Sequence, residues 1–169
     1  YQGYQFRGII QVTGTTGASM ITGSGGNHLS PNTLFEVEEV TGDVTEDLTV
    51  SASLIDPSGD FASTPVGGLT KSGAGTMVIS VASAYTGNTV VSEGVLSIQN
   101  PSLSDTGKLT VDAAAVIDLN FVGSDTVRSL VLAGANQPAG TYGAIGSGAE
   151  FETPRITGTG LIIAGEADP

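Results

Sequence analysis

The chain has 169 residues, 39% of them hydrophobic, and carries 17 acids against five bases for a net charge of −12. That suffices for one domain with its own core, and the sign of the charge repels nucleic acid and anionic membrane surfaces. Zero Cys removes disulfides, thiolate zinc sites and cysteine nucleophiles together, and no apolar run approaches the roughly 18 to 20 residues of a membrane-spanning helix.

The sequence opens at Tyr1 without a methionine, a charged n-region or an apolar h-region, which reads as a fragment or as a chain whose leader has been removed. Tyr1, Tyr4 and Phe6 crowd three aromatics into six residues, and Ile9, Ile10 and Val12 follow. These six are the candidate assembly residues. Residues 1–18 form either an ordinary first coil or an arm that adds a strand or aromatic plug to the open edge of a neighbouring subunit.

His28 is the single histidine, and no GxSxG elbow surrounds any serine, so a Ser-His-Asp system has one candidate base and no nucleophile. A loop or corner position is expected for it. Glu36, Glu38, Glu39, Asp43, Glu46, Asp47, Asp56 and Asp60 then supply oxygen ligands suited to calcium. Neither an EF-hand loop nor a glycine-aspartate nonapeptide is present, so a solvated acidic face is expected and no cofactor is assigned.

Glycine is scattered throughout at 25 positions, and no dozen-residue window carries an apolar stripe at helical spacing. Short β-type runs stand at 48–51, 77–80, 95–98, 109–111, 130–132 and 161–163, bounded by Gly, Asp, Asn or Pro. Leu-Thr-Val at 48 returns at 109, and as Leu-Ser-Ile at 96. Separations of 21 from Leu48 to Leu69, 13 from Leu96 to Leu109 and 21 from Leu109 to Leu130 suit a solenoid with loops of varying length and glycines at its corners. An antiparallel β-sandwich uses similar strands and turns, but the Asn-Gly and Asp-Gly hairpin dipeptides are absent. Near the end, Glu150 and Glu152 flank Phe151, which on a strand puts two carboxylates on one side, the raw material of a glycosidase pair or, more simply, an exposed strand face.

The central stretch carries the most specific pattern. Gly67-Gly68-Leu69-Thr70-Lys71-Ser72-Gly73-Ala74-Gly75-Thr76-Met77, followed by Ala84-Tyr85-Thr86-Gly87-Asn88-Thr89, resembles the autotransporter-associated β-strand repeat, also called the passenger-associated transport repeat, of Gram-negative bacteria. That pattern reads GGLTKxGxGTLxLSGxNxYTGxTxVxxGTL. This chain departs from it with Met77 for Leu, Val81 for Gly and Val95 for Thr. Residues 32–37 and 47–51 resemble the segment that precedes the repeat, and residues 139–161 are similar to the closing segment of large secreted repeat proteins. The resemblance implies a right-handed parallel β-helix, export across the envelope and a passenger or stalk role. It carries over no catalytic residue.

The expected organisation is therefore an N-terminal strand or arm at 1–18, a β-solenoid at 19–165 with the repeat at 67–100, and a tail at 166–169. The expected function is non-enzymatic, with the protein itself as partner in an end-to-end extracellular filament. A stalk of an adhesin that contacts cell-surface or matrix glycans is the alternative, and a polysaccharide-degrading enzyme on a β-helix the third reading.

Overall fold

In the computed structural model, residues 3–59 and 66–166 are described. Tyr1, Asp60 and residues 167–169 of the expected tail lie outside them. Among the described residues there is no α-helix, and the chain winds through short strands laid on three faces. The first face stacks β2 (Ile9–Val12), β5 (Thr33–Val37), β8 (Leu69–Ser72), the start of β10 (Thr89–Ile98), the start of β11 (Lys108–Leu119) and β13 (Ser129–Leu132). The second stacks β3 (Ser19–Thr22), β6 (Leu48–Ser51), β9 (Thr76–Ile79), the later parts of β10 and β11, and β17 (Ile156–Gly158). The third face is more broken, with β1 (Gln5–Phe6), β4 (Asn27–Leu29) and β7 (Leu54–Ile55), then β12 (Ser124–Val127) against β18 (Leu161–Ala164). Stacked neighbours on all three faces run in the same direction. This is a parallel β-helix, and the sandwich reading is thereby excluded.

Parallel register fixes what the interior contains, because each inward side chain sits over its equivalent one coil away. On the second face the register lines up Leu48, Met77, Leu96, Ile117 and Ile156, all buried. A parallel column runs through Val50, Ile79, Ile98 and Leu119. On the first face Leu69, Leu109 and Leu130 stack with Thr33 and Thr89. Each such aliphatic side chain contributes about 1.5 to 3 kcal/mol on burial. Met77 fills the place of a leucine in the column without disturbing it, since an unbranched thioether adapts to its neighbours.

Of the separations between the repeated triplets, that of 21 residues from Leu109 to Leu130 is a true coil step and the other two are not. Leu69 stacks over Thr89, Thr89 over Leu109, and Leu109 over Leu130. Leu48 and Leu69 belong to different faces, as do Leu96 and Leu109, because a Leu-Thr-Val triplet satisfies any inward-outward-inward strand. Nor are all strands short. β10 spans 10 residues and β11 spans 12, since their corner is only a register shift between Val91 and Glu93. Val81, where the repeat pattern has glycine, lies in a bend with no positive φ.

The two ends differ. β1 and β2 are strands of the first coil, in register with β4 and β5, and β3 follows them, in register with β6. Phe6 stands edge-on against Phe35 with ring centroids 5.7 Å apart. At the other end the chain leaves the helix after β13 and folds back. β14 (Ala135–Asn136) pairs antiparallel with β13, β15 (Gly140–Gly143) pairs antiparallel with β18, and β16 (Phe151–Glu152) lies beside β15. Tyr142 is buried there, stacked on Phe151 at 4.9 Å, and its hydroxyl donates to Pro138 O at 2.7 Å. This is a cap built of β-structure.

The β13–β14 hairpin turns on Ala133 and Gly134, both at positive φ (51° and 81°), as a two-residue type I′ turn requires. An alanine pays for that conformation through its Cβ, roughly 1 kcal/mol. Ala133→Gly is expected to raise stability by about 0.5 to 1 kcal/mol, the strain relief exceeding the added unfolded-chain entropy. An unchanged or lower denaturation midpoint would contradict this account of the turn.

Candidate functional site

The repeat motif builds one corner of the helix, and its residues divide the work. Leu69 and Lys71 point inward from β8, and Lys71 stands in the column formed by Ile10, Phe35, Val91, Val111 and Leu132. A lysine there is fully buried. Its stem fills the column, and its ammonium reaches the corner, where Nζ donates to Gly73 O at 2.5 Å and Glu93 O at 3.0 Å. These are carbonyls of two successive coils, and one flexible donor bonds both. Gly73 and Gly94 turn the two corners at positive φ, and a Cβ on Gly94 would meet Gly73 O and Gly75 O, both at 2.5 Å.

The rest of the motif fastens the next corner. Tyr85 is buried, and its hydroxyl lies 2.7 Å from Thr89 Oγ1. Thr86 donates to Asp56 through both its amide and its hydroxyl, and Gly67 N donates to the same carboxylate at 2.7 Å. Gly68 N donates to Ser30 O, and Gly87 N donates to Gly67 O at 2.8 Å, so close that a Cβ on Gly87 would lie 2.4 Å from that oxygen. Thr70 faces outward, Gly75 N donates to Val37 O, and Thr76 N donates to Asp47 Oδ2 at 2.7 Å.

Asp47 is the acidic counterpart of Lys71. It is fully buried and also accepts from Val40 N and Thr41 N, which pins the loop between β5 and β6. Burial works to raise its pKa, but these hydrogen bonds outweigh it and leave the carboxyl below the usual aspartate value. For Lys71, burial dominates and lowers the pKa to about 8, with Glu93, Asp47 and Glu38 opposing it.

The acidic stretch is thus not one face. Glu38, Glu39, Asp43 and Glu46 are exposed, Glu36 accepts from Gln11 Nε2, and Asp47 and Asp56 are structural acceptors. Among the described residues no three His, Asp or Glu side chains gather as a metal site. His28 lies on a strand, β4, rather than in a loop or corner, and is buried with Nδ1 2.8 Å from Asp56 O. Glu152 accepts from Gly146 N and Gly148 N at 2.9 and 2.8 Å, bonds that hold its pKa below the usual glutamate value. A glycosidase acid needs the opposite shift. Glu150 is an exposed neighbour on the bend before β16.

The sequence reading passed over Asp125. It is buried on β12 and accepts from Leu103 N at 2.8 Å and Thr126 N at 3.0 Å, and burial raises its pKa. It lines a groove of about 400 Å³ with Tyr85, Thr86 and Asp105, and Tyr85 is pushed up to about 12 by its burial. Nothing in the local sequence distinguishes Asp125 from the other aspartates, because its burial depends on the coil below.

The candidate assembly residues split by orientation. Phe6 and Ile10 pack against the core and Val12 is buried in it, while Tyr4 and Ile9 are exposed at 82% and 59%; Met20 on β3 joins them at 66%. Among the described residues β1, β2 and β3 each pair on one side only. Beside them Gly3, Tyr4, Thr22, Gly23, Ser24, Gly25 and Asn27 line a hollow of about 260 Å³. Lys71, Asp47 and Asp56, by contrast, are each occupied by backbone groups.

Residues 69–98 match the passenger-associated-transport-repeat family. The chain carries a passenger-associated transport repeat. No curated protein and no solved structure matches it. The matched residues run from β8 through β10, so the repeat is one full coil and the start of the next, with both corners described above. It points to a passenger-type β-helical segment and to an extracellular or surface location.

The buried lysine makes stability pH-dependent with a definite sign. Between about pH 8 and the ordinary lysine value of 10.5 the unfolded chain holds a proton that the folded chain has lost. Stability therefore climbs with pH across that window, by at most about 1.4 kcal/mol per unit. Lys71→Met is expected to flatten this slope whatever its absolute stability. Parallel slopes for the two proteins in denaturant titrations at pH 7.5 to 10.5 would refute the assignment.

Proposed function

We propose that this chain is a secreted, non-enzymatic β-solenoid rod, a stalk or passenger segment at the bacterial surface whose function is the stack itself. The observation that carries the reading is the fate of its polar chemistry. Lys71, Asp47, Asp56 and Glu152 are each held by backbone groups at a corner or loop, and an exterior rich in acids keeps the rod soluble and discourages lateral clumping.

End-to-end self-association into an extracellular filament is the second form of the same reading, and the exposed Tyr4, Ile9 and Met20 of the first described coil favour it. A head-to-tail filament needs two complementary open ends. Antiparallel strands continue the first and third faces at the C-terminal end, which weighs the balance toward the stalk.

Purified protein in negative stain is expected to show isolated short rods at every concentration, with no specific spot on a glycan array. Long threads would favour the filament, and a specific glycan the adhesin reading. Polysaccharide turnover lost in Glu150→Gln or Glu152→Gln would overturn the non-enzymatic reading.

A further inference from the structure

On the third face the parallel ladder is interrupted between described coils. Ile55 bridges to Ala84, and β12 pairs with β18, but residues 100–107 between them form no strand. Side chains close the gap instead. Ser104 Oγ and Thr106 Oγ1 donate to Thr86 O at 2.7 and 3.2 Å, and Asp125 accepts from Leu103 N and Thr126 N. The groove of about 400 Å³ opens along this seam, and Tyr85, Thr86, Ser104, Asp105, Thr106 and Asp125 all line it. Asp125 holds an inward position beside Ile162 and is 6% exposed. Its contrast is Asp47, the other buried aspartate, which collects backbone amides of Val40, Thr41 and Thr76 and the Thr41 hydroxyl, bonds that outweigh its burial. At Asp125 burial outweighs the bonds, and the charge of Asp105 adds to the deficit. No lysine or arginine lines the groove. A buried carboxylate whose charge is under-compensated, set at a concavity rather than in a packed column, marks a ligand site.

We propose that this groove seats a basic side chain of a partner polypeptide, an arginine whose guanidinium pairs with Asp125. A guanidinium presents five donors in a planar fork. Around the groove stand acceptors to match, the carboxylates of Asp125 and Asp105 and the hydroxyls of Ser104 and Thr106. A divalent cation fits less well, because it takes six to eight oxygens and is held chiefly by carboxylates; the groove has two, and among the described residues no third His, Asp or Glu joins them. The cation comes from a different polypeptide, since the bases of this chain are already engaged. Lys71 and Arg155 bond backbone carbonyls, Arg7 bonds Gln5, and Lys108 and Arg128 have contacts of their own. A positive group beside Asp125 favours the charged carboxylate that burial disfavours, so the seam gains on binding what it lacks when empty. The site goes beyond the stalk reading by giving the rod a lateral attachment point, independent of what its ends join.

The test titrates the full chain with N-acetylargininamide and follows the backbone amides by NMR. Saturable shifts are expected to cluster at Thr86, Leu103, Ser104 and Thr126, while N-acetylcitrullinamide, of the same shape without the charge, leaves the spectrum unchanged. The Asp125 carboxyl, followed by carbon NMR, is expected to titrate at lower pH once the arginine probe saturates the site. Asp105 and Tyr85 are the other titratable groups on the groove, and Tyr85, pushed up to about 12, stays protonated throughout. Asp125→Asn is expected to weaken binding at least tenfold. Asp105→Asn, at an exposed position whose change leaves the core untouched, is expected to weaken it about threefold. Asp43→Asn, on the exposed loop between β5 and β6, leaves binding unchanged. Shifts scattered over the exposed acids would overturn the proposal, as would equal binding of the citrulline analogue, an Asp125 titration that does not move, or calcium chloride binding at Asp125 more tightly than the arginine probe. A groove that binds nothing overturns the proposal and leaves the stalk reading intact, because that reading is tested by rod shape in negative stain.

Discussion

The parallel ladder is the constraint from which the rest of this molecule follows. Once a coil is laid directly over the last, every side chain is assigned a vertical neighbour, and a position can be inward or outward only for the whole column. Leu48, Met77, Leu96, Ile117 and Ile156 must agree with one another before any of them contributes. An aliphatic column meets the demand with no directional requirement. A polar residue in a column meets it only when a backbone group near the same height lacks a partner. That is why the buried Lys71 and Asp47 reach to backbone groups at corners, where carbonyls and amides turn inward.

Lys71 illustrates how such a residue is retained. Between Phe35 and Val91 an aliphatic residue would pack as well and avoid the desolvation of an ammonium. It would forgo the bonds to Gly73 O and Glu93 O. The lysine converts two turn carbonyls from neighbouring coils into one bonded unit, and Asp47 and Asp56 do the same for amides at the adjoining corners. The repeat motif is then best understood as a kit for two corners rather than as a strand signature. Its glycines permit close backbone approach, and its Lys, Tyr and Thr supply the bonds that such an approach leaves unmade.

This explains which parts of the fold were legible in the sequence. Alternating apolar runs, dispersed glycines and the 67–100 stretch identify coils, because a column needs only the side chain's apolarity and its alternation, and both are local. The separations from Leu48 to Leu69 and from Leu96 to Leu109 join different faces, unlike that from Leu109 to Leu130, since an alternating triplet says which residues face inward and nothing about which face they line. Burial of Lys71, Asp47 and Asp125 was not legible at all. A charged residue at an inward position looks like one on the solvent face until the carbonyl or amide it serves, 2 to 30 residues away, is known. The hairpin at Ala133 escaped for a different reason, as alanine gives no signal for positive φ and only Gly134 beside it does.

The strands after β13 extend the same logic to the coils that break from the parallel ladder. At the C-terminal end the chain supplies its own replacement, turning β14 and β15 antiparallel so that the last edges on two faces are bonded and Tyr142 is covered. On the first described coil the outward positions carry Ile9 and Met20 in place of acids. Acids distributed from Glu36 onward keep the flanks of the rod apart, and they do so at no cost to the columns because the side chains that carry most of that charge stand outside them. A solenoid of this construction separates two tasks that compete in a globular protein: cohesion lies along the axis, and repulsion lies around it.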